Sequence, residues 1–521
     1  MTDGETKQYR KELGFWHVVF LATGAILGPA IAFTPVSVLA LSGPAGLLAW
    51  PISFLFIIPI ALVYVELGTM WPKAGGVAYY PSKSSGALVG ALNGWGAFIG
   101  YSLAVGSIMV AFIEYLSYWI PSLFANGVLT PLGIAATAIS VLLVFFINSL
   151  RIKRWGDINN WLTILTIILI MVFVAALLAY YNPGNATSFG GFVPLGTGGI
   201  FLATAATVYG WGGFRQPIDY AEEIHDPGKS IPRAIYVTLL IVLAVYFLES
   251  LAFLGAFNWA NLGIASGNWG GLSSLPYPYI SASLGVGLPI IATVSLIAAL
   301  IASFKDGMIY EGGAARVGHT LARYDKIFPN FFTRMSGKGI PIISSLVVFI
   351  IVLIYLVLLP SFSSLFPLVV DGLLISYSPG VISLAVFRSK YPDQPRPYKL
   401  PAFKILSPVT FVLATLLIFW SGWAAVSIFL STVFIGIVFL GIYHKNRRLS
   451  RDDIVKGLWF PLYLLITMAL SYESSSTFGG VGVIPFPYDT TLFAIVSLVF
   501  YFIGYYSGLS YKGDATVDES V

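Results

Sequence analysis

The stretch Thr23-Gly24-Ala25-Ile26-Leu27-Gly28-Pro29-Ala30-Ile31-Ala32-Phe33 lies in the middle of the first long apolar segment of the chain. A membrane-spanning helix is normally most regular at this depth, yet Pro29 cannot donate to the helical hydrogen-bond ladder and crowds the carbonyl one turn back. Gly24 and Gly28 add backbone freedom. In hydrocarbon, an opened helical turn is stable only where protein or a water-filled cavity surrounds it. The stretch therefore predicts either a broken helix at a substrate site or a kinked, continuous helix.

The composition indicates an integral membrane protein. Of the 521 residues, 57% are hydrophobic and 10% are charged, whereas a soluble domain carries roughly 25% charged residues. The chain has no cysteine, which excludes disulfides and thiolate metal sites. Its four histidines stand singly in the sequence, so we expect neither a metal site nor a cofactor. We also expect no removable signal peptide, because the polar N-terminus is not followed by a cleavage-type pattern.

The apolar runs set the number of spans. A membrane core of about 30 Å requires about 20 apolar residues per helix, and about fourteen runs satisfy this criterion. The division between the eleventh and twelfth runs, at Ser421-Gly422-Trp423, is the weakest. The sequence therefore predicts an all-α multi-pass protein with spans at residues 15–42, 45–70, 88–119, 131–150, 157–180, 198–216, 233–257, 284–318, 341–359, 364–388, 406–423, 425–443, 456–472 and 489–510.

The basic residues of the connecting segments cluster in alternate loops. They occur in the N-tail and after every even-numbered span up to the twelfth, whereas the intervening loops, including residues 258–283, contain no Lys or Arg. We call these two sides the basic face and the neutral face. The positive-inside rule predicts that the basic face, with both termini, is cytoplasmic in a cell membrane. The distribution also accounts for the net charge of +5 without a nucleic-acid partner.

A second interruption lies in span six, at Tyr209-Gly210-Trp211-Gly212-Gly213. Each glycine in a helix costs about 1 kcal/mol relative to alanine. Paired breaks in corresponding halves of a chain are typical of inverted-repeat transporters, and they favour the broken-helix interpretation of span one. Amides and helix N-termini at such breaks attract an anionic group, whereas carbonyls and C-termini attract a cation. A zwitterionic substrate carries both charges, so it can bind the helix N-termini and C-termini at once.

Three stretches resemble the amino acid–polyamine–organocation permease superfamily. Gly24–Ile31 is similar to the span-one signature G-x-I-I-G-S-G-I. Gly213-Phe214-Arg215 followed by Ala221–Ile235 is similar to G-F-[DE] … A-E-E-x-x-N-P-x-R-x-I-P-R-A-I. Arg388–Pro401 is similar to the loop pattern R-x-x-x-P-D-x-x-R-P-[FY]-x-x-P. The resemblance extends over residues 12–443.

The resemblance implies a LeuT-like core of five-plus-five inverted repeats, in which spans one and six are broken. It implies a pocket between these spans that spans three, eight and ten close. On this basis residues 12–405 form the transport core after a cytoplasmic tail of residues 1–11. Residues 406–510 add spans eleven to fourteen, and residues 511–521 form a disordered acidic tail.

The resemblance also implies a set of substrate-binding residues at the two breaks and in spans three and eight. In the family, the hydroxyl and backbone amides of the span-one signature bind the substrate carboxylate. Pro29 removes one amide and the hydroxyl together, so carboxylate binding is weaker, differently arranged or absent here. Tyr209 and Trp211 are gate candidates, with helix packing as the alternative. The set is Gly24, Ala25, Ile26, Gly28, Pro29, Ala30, Tyr101, Tyr209, Gly210, Trp211, Gly212 and Glu311.

Charged residues within the spans are candidates for coupling and gating, because they are costly in a membrane and usually functional. We expect Glu311 at pocket level, where it recognises a cationic amine or carries the coupled proton; the alternative is a buried ion pair that fixes packing. Lys305 and Asp306 are expected one to two turns further out. Glu249, nearer a span end, is expected to be solvated or structural. The candidates are Lys305, Asp306, Glu311, Asp371, Arg215, which replaces a family acid, and Thr166, which replaces a lysine of some members.

Two functions fit these observations. The first is a secondary transporter that moves amino acids or related amines by alternating access, coupled to H⁺ or Na⁺ or working by exchange. The second is a membrane nutrient sensor that keeps the transporter fold without turnover. An enzyme is disfavoured, because no nucleophile–base or metal-ligand spacing is visible. The expected partners are the small-molecule substrate and membrane lipids, and the sequence leaves the substrate, the coupling ion and the oligomeric state open.

Overall fold

A computed structural model describes residues 8–275, 277–447 and 449–513. The chain in these ranges is almost entirely helical. A two-stranded antiparallel hairpin, β1 (Phe124–Ala125) and β2 (Val128–Leu129), lies in the loop after α5. The first helices are α1 (Phe15–Ile26), α2 (Ala30–Ser42), α3 (Ala49–Met70), α4 (Gly76–Ser85), α5 (Ala87–Leu116), α6 (Pro131–Asn148), α7 (Ile152–Leu178) and α8 (Gly184–Thr187).

The remaining helices continue the same alternation of long apolar elements and short connections. They are α9 (Gly196–Gly210), α10 (Gln216–Asp219), α11 (Pro227–Ala256), α12 (Pro278–Gly285), α13 (Pro289–Arg323), α14 (Ile342–Leu358), α15 (Phe362–Ile375), α16 (Ser378–Lys390), α17 (Phe403–Trp420), α18 (Trp423–Arg447), α19 (Arg451–Val455), α20 (Trp459–Glu473) and α21 (Tyr488–Ser510). Within the described ranges, 11 segments are long and apolar enough to cross a membrane, and α1 and α14 are shorter apolar helices. The multi-pass all-α prediction is confirmed.

The order of elements repeats. The first five spans are the pair α1/α2, then α3, α5, α6 and α7, with the short helix α4 between α3 and α5. The next five are the pair α9/α10, then α11, α13, α14 and the pair α15/α16, with the short helix α12 between α11 and α13. This is the expected five-plus-five arrangement. The interruption of span ten at Ser376-Tyr377, between α15 and α16, was not expected from the sequence.

The breaks in spans one and six face each other. Residues Leu27-Gly28-Pro29 separate α1 from α2, so the continuous-helix alternative is wrong. Gly213, after α9, has φ +103°, and a Cβ added there would lie 2.1 Å from the Ala25 carbonyl oxygen. Only glycine combines this backbone conformation with so close an approach. The unwound segments therefore pack directly against each other.

Helix α13 carries three of the charged candidate residues, Lys305, Asp306 and Glu311. It contains 35 residues and packs against α5, α7, α14, α6 and α1. Glycines also allow a close approach between α13 and the end of span six. A Cβ on Gly312 would lie 2.1 Å from the Tyr220 hydroxyl, and one on Gly313 would lie 2.4 Å from the Gln216 side chain. The residues of α13 consequently reach several neighbouring helices at once.

The last four spans pack on the outside of this core. Helices α17 and α18 are separate, and Gly422 between them has φ +93°, which confirms the weakest division of the apolar runs. Helix α18 packs against α5, and α21 packs against α16 and α17. The domain boundaries at residues 405 and 510 remain predictions.

We predict that Gly213→Ala lowers the thermal unfolding midpoint of the purified protein in detergent. The added methyl group would clash with the Ala25 carbonyl oxygen at 2.1 Å, and alanine is strained at φ +103°. Gly198→Ala, in α9, is the matched control, because its Cβ would meet nothing within 4 Å. It should be neutral or stabilise by up to about 1 kcal/mol. Equal midpoints for the two variants would contradict the close packing of the breaks.

Candidate functional site

A small cavity lies between the two breaks. It has room for about one water molecule, so the structure is a closed conformation that has to open before a larger molecule can enter. The side chains that line it are mostly small or apolar, with one carboxylate. They are Ala25, Ile26, Gly28, Pro29, Ala30, Ala104, Ile108, Gly212, Asp306, Tyr310, Val369 and Leu373. All the residues predicted at the span-one break except Gly24 line this cavity. Of the described residues predicted in span six, Gly212 is the one that lines it.

Helix termini set the polarity of the cavity. Pro29 and Ala30, at the N-terminus of the 13-residue helix α2, line one part of the cavity, and Ala25 and Ile26, at the C-terminus of α1, line another. An N-terminus carries a partial positive charge and a C-terminus a partial negative charge. The cavity therefore presents both polarities, as the two breaks predicted.

Lys305 holds the unwound end of α1. Its ammonium donates to the carbonyl oxygen of Gly24 at 2.8 Å and to that of Leu27 at 2.7 Å, and its side chain is completely buried. Carbonyls freed by a helix break in a membrane need a donor or a cation. The Lys305 ammonium is both a hydrogen-bond donor and a cation. It lies at the break itself, whereas the sequence predicted it one to two turns further out.

Asp306 is the charged residue of the cavity. A Cβ added to Gly28 would lie 1.8 Å from Asp306 Oδ2, so the carboxylate fills the space that the glycine leaves. Within the described part of the chain, Asp306 Oδ1 has no hydrogen-bond partner. An unsatisfied buried carboxylate oxygen is costly, and this one is therefore available to a cationic donor that enters the cavity.

Glu311 lies away from the cavity, contrary to our expectation. Its carboxylate oxygens accept hydrogen bonds from Asn148 of α6 and Ser345 of α14. The Asn148 amide also donates to the Met308 carbonyl at 2.9 Å. The helical phase explains the difference, because residues 306 and 311 are about 140° apart around a helix. In this position Glu311 connects α13 to two neighbouring spans.

Arg215 is the centre of a buried network between spans three, six and ten. Its guanidinium donates to the Tyr101 hydroxyl and to Ser376 Oγ, both at 2.8 Å, and stacks on Tyr377 with a separation of 4.6 Å. The Tyr101 hydroxyl donates to Asp219 Oδ2 at 2.6 Å. Tyr101 thus belongs to this network instead of the cavity lining. Asp219, which the sequence reading missed, supplies the negative charge one helical turn after the reversed Arg215.

Trp211 is a packing residue in this conformation. It is fully buried and donates to Ser53 Oγ at 2.8 Å, while its ring lies edge-on to Trp50. Trp50 stacks on Tyr246 with ring centroids 4.4 Å apart, and the Tyr246 hydroxyl donates to the Ile26 carbonyl at 3.0 Å. The cluster therefore fixes the end of α1 from the side of α3 and α11.

Four further candidates have mixed outcomes. Gly210 packs against Trp50 rather than the cavity. Thr166 donates within its own helix, to Leu162 at 2.8 Å. Two other polar side chains of span five approach Gly24 instead. A Cβ added to Gly24 would lie 2.8 Å from Thr163 Oγ1 and 3.1 Å from Asn159 Oδ1. The side chains of the other two candidates, Tyr209 and Asp371, lie outside the described part of the structure.

The basic face is closed by an ion pair and by the N-tail. Arg316 of α13 forms two hydrogen bonds to the Glu223 carboxylate, at 2.6 and 2.7 Å, and both side chains are buried. The backbone amides of Glu12 and Leu13 donate to the Glu223 carbonyl at 2.9 Å. Arg151 donates to the Glu12 carboxylate at 2.8 Å, and this hydrogen bond lowers the pKa of Glu12. The loop after span six therefore contributes to the closure of the basic face.

Comparison with known proteins gives consistent results. The family model described as amino acid permease matches residues 13–443. The glutamate/serine transporter AimA of Bacillus subtilis is 29% identical over 507 residues, which cover 95% of this chain and 93% of that protein. The aspartate-proton symporter of the same organism is 28% identical over 509 residues, covering 96% and 97%. Its branched-chain amino acid permease BcaP is 25% identical over 474 residues, covering 86% and 96%.

We predict that Glu223→Gln strongly destabilises the protein, because it leaves Arg316 buried without its carboxylate. Removal of one partner of a buried ion pair costs about 3–5 kcal/mol. Asp226→Asn in the same loop is the matched control, since Asp226 pairs with Lys229 at 3.3 Å on the exposed surface. Such exposed pairs contribute about 0–1 kcal/mol. Thermal unfolding in detergent measures both, and a Glu223→Gln midpoint within error of the control would refute the closing role.

Proposed function

We propose that this chain, which belongs to the amino acid permease family, is a proton-linked symporter of neutral amino acids with small or apolar side chains. That the protein is a secondary amino acid transporter follows from the family and from the relatives that cover nearly the whole chain. The observation that carries the finer proposal is the pair of adjacent residues at the break, Lys305 on the freed carbonyls and Asp306 in the cavity. Neither the family nor the names of these relatives supports the sensor alternative.

Substrate recognition in this proposal uses both ends of the zwitterion. The ammonium group binds Asp306, whose Oδ1 is unpartnered within the described residues, and the nearby C-terminus of α1 adds a negative dipole. The carboxylate binds the N-terminus of α2. Because Pro29 has no amide hydrogen, and the amides of Ile31 and Ala32 already donate to the carbonyls of Gly28 and Pro29, the amide of Ala30 takes this role. The binding mode is therefore shifted along the helix relative to the family signature.

The lining of the cavity supports a neutral substrate side chain. Asp306 is the one charged residue among the described lining residues, and it would repel a second carboxylate. The apolar remainder suits serine, which the name of one relative includes, or the branched-chain amino acids in the name of another. A dicarboxylic amino acid is the second candidate, because two relatives are named for glutamate and aspartate transport. Arg215, beyond Gly212, would then supply the positive charge.

Lys305 supports the proton as the coupling ion. In sodium-coupled carriers, unwound backbone carbonyls coordinate the sodium ion. Here the carbonyls of Gly24 and Leu27 already accept hydrogen bonds from the Lys305 ammonium, which leaves these two carbonyls no need of a metal cation. An amine and a carboxyl group side by side can exchange protons as substrate enters. One relative is named as a proton symporter. We place the basic face on the cytoplasmic side.

Uptake into proteoliposomes tests this proposal. With an inward proton gradient and no sodium, we expect accumulation of labelled serine that a sodium gradient does not increase. Asp306→Asn should reduce uptake by about 10- to 100-fold, since hydrogen bonds to charged groups contribute about 1.5–3 kcal/mol. Competition by valine but not by glutamate or aspartate supports the neutral substrate. Competition by the dicarboxylic amino acids alone would establish the second candidate, and sodium dependence would exclude the proton.

Glu311 is tested separately, because its contacts support a packing role. Glutamine at this position keeps an acceptor for one neighbour and a donor for the other, so we expect Glu311→Gln to retain transport and its pH dependence. Glu311→Leu should lower the unfolding midpoint, because it removes the carboxylate that accepts hydrogen bonds from the buried Asn148 and Ser345. Each lost hydrogen bond costs about 1–3 kcal/mol. Loss of the pH dependence in Glu311→Gln would instead assign the coupled proton to Glu311.

A further inference from the structure

A second buried acid lies in α11, on the neutral-face side of the α1 break. The Glu249 side chain is completely buried, and neither carboxylate oxygen has a hydrogen-bond partner within the described residues. An ionised carboxylate without hydrogen bonds or a counter-charge costs many kcal/mol in such surroundings, so the group holds a proton instead. In the closed conformation Glu249 is therefore a neutral carboxylic acid.

The group that faces Glu249 belongs to the short helix α12. The Tyr279 hydroxyl interacts with the carboxyl group of Glu249, but it makes no geometric hydrogen bond within the described residues. The Tyr279 ring stacks on Phe173 of α7, with centroids 4.3 Å apart. Helix α12 thus covers Glu249 with an aromatic side chain that is held by packing.

Helix α12 also lines a second small cavity on the neutral-face side of the substrate cavity. Tyr279 lines this cavity together with Ala32 of α2 and Ala299 of α13. Ala32 lies two residues beyond Ala30, which lines the substrate cavity. The second cavity is therefore the next space outward along α2, and α12 forms its cover.

Glu249 is also connected to the break itself. Tyr246 lies three residues before it on α11, on the same helical face, and donates to the Ile26 carbonyl at 3.0 Å. Movement of α12 thus affects a carboxyl group that is one helical turn from a direct contact with the unwound end of α1.

We propose that Glu249 is a proton-binding site of the neutral face, which takes up a proton when α12 closes and releases it to water when α12 lifts. The site rests on the proposed function and adds a location where the transported proton binds from the neutral side. Closure buries the carboxyl group and requires its neutral form, whereas lifting of α12 admits water that stabilises the carboxylate. Acid on the neutral face therefore favours the closed conformation.

The titratable groups around Glu249 are few. Tyr279 of α12 faces it directly, and Tyr115 of α5 and Tyr246 of α11 lie beside Tyr279. Among the described residues, no cationic side chain acts on Glu249. Its protonation is therefore governed by exposure to water, which is the variable that α12 controls.

The absence of cysteine from the chain allows a direct test. Ala32→Cys introduces a single thiol under α12, at a position that is buried in the closed conformation. Its reaction with a charged maleimide in lipid nanodiscs, without substrate, is measured from pH 5.5 to 8. Each rate is divided by that of the exposed Ser273→Cys at the same pH, which removes the pH dependence of the thiol itself. Ala299→Cys provides a second reporter in the same cavity.

We expect the normalised rate to rise with pH by up to about tenfold per unit, the limit for one linked proton. Glu249→Gln, which imitates the protonated acid, should make the rate low and independent of pH, and Glu249→Met should do the same if the glutamine variant folds poorly. Glu249→Asp should retain the pH dependence. So should Glu114→Gln, the matched control at another acid of the neutral-face half.

Three results would overturn the proposal: an unchanged pH dependence in Glu249→Gln, its loss in Glu114→Gln alone, or a rate without pH dependence in the parent. The outcome is distinguishable from failure of the proposed function, because labelling requires neither substrate nor gradient. If the unmutated protein is labelled with the expected pH dependence but shows no proton-driven uptake, the Glu249 site stands and the proposed proton-linked transport is rejected. If uptake is proton-driven but Glu249→Gln leaves the labelling unchanged, the transport proposal stands and the Glu249 site is rejected.

Discussion

The contact of the Lys305 ammonium with the carbonyls of Gly24 and Leu27 is the constraint on which the rest of the structure depends. A helix that stops in the middle of a membrane leaves backbone groups that lipid cannot satisfy. A buried lysine on the neighbouring helix solves this problem with a covalently attached cation. Since Lys305 is itself costly to bury, the break and the lysine stabilise each other, and neither is expected without the other.

This constraint also determines the register of α13. Once Lys305 points at the end of α1, the next residue, Asp306, is rotated by about 100° and meets Gly28 at the cavity. Glu311 then faces α6 and α14, where Asn148 and Ser345 satisfy its carboxylate. One helix thereby places Lys305 at the break, Asp306 at the cavity and Glu311 in contact with the neighbouring spans. Movement of α13 would change all three contacts together.

The sequence predicted the breaks in spans one and six and the order of the spans, because glycine and proline patterns and apolar runs act locally. It did not predict which side of α13 carries the cavity. Glu311 was placed there by counting along a motif, but the rotation of a helix is fixed by contacts with its neighbours. For the same reason Asp219 was missed, and Glu249 was expected only to be solvated or structural. Their environments include Tyr101 and Tyr279, which lie on other helices.

The two faces of the molecule are closed by different kinds of interaction. On the basic face, the Arg316–Glu223 pair is buried and hydrogen-bonded, and the Arg215–Tyr101–Asp219 network is deeper. Separation of such groups requires water to reach them, so this side opens only when the helices move far enough to hydrate several charges. On the neutral face, Tyr279 of α12 stacks on Phe173, and Glu249 is buried; in our proposal, ionisation of this one group is sufficient to oppose closure. In our proposal a single proton reverses the barrier on the neutral face but not the one on the basic face, so opening of the basic face draws on substrate binding at the breaks.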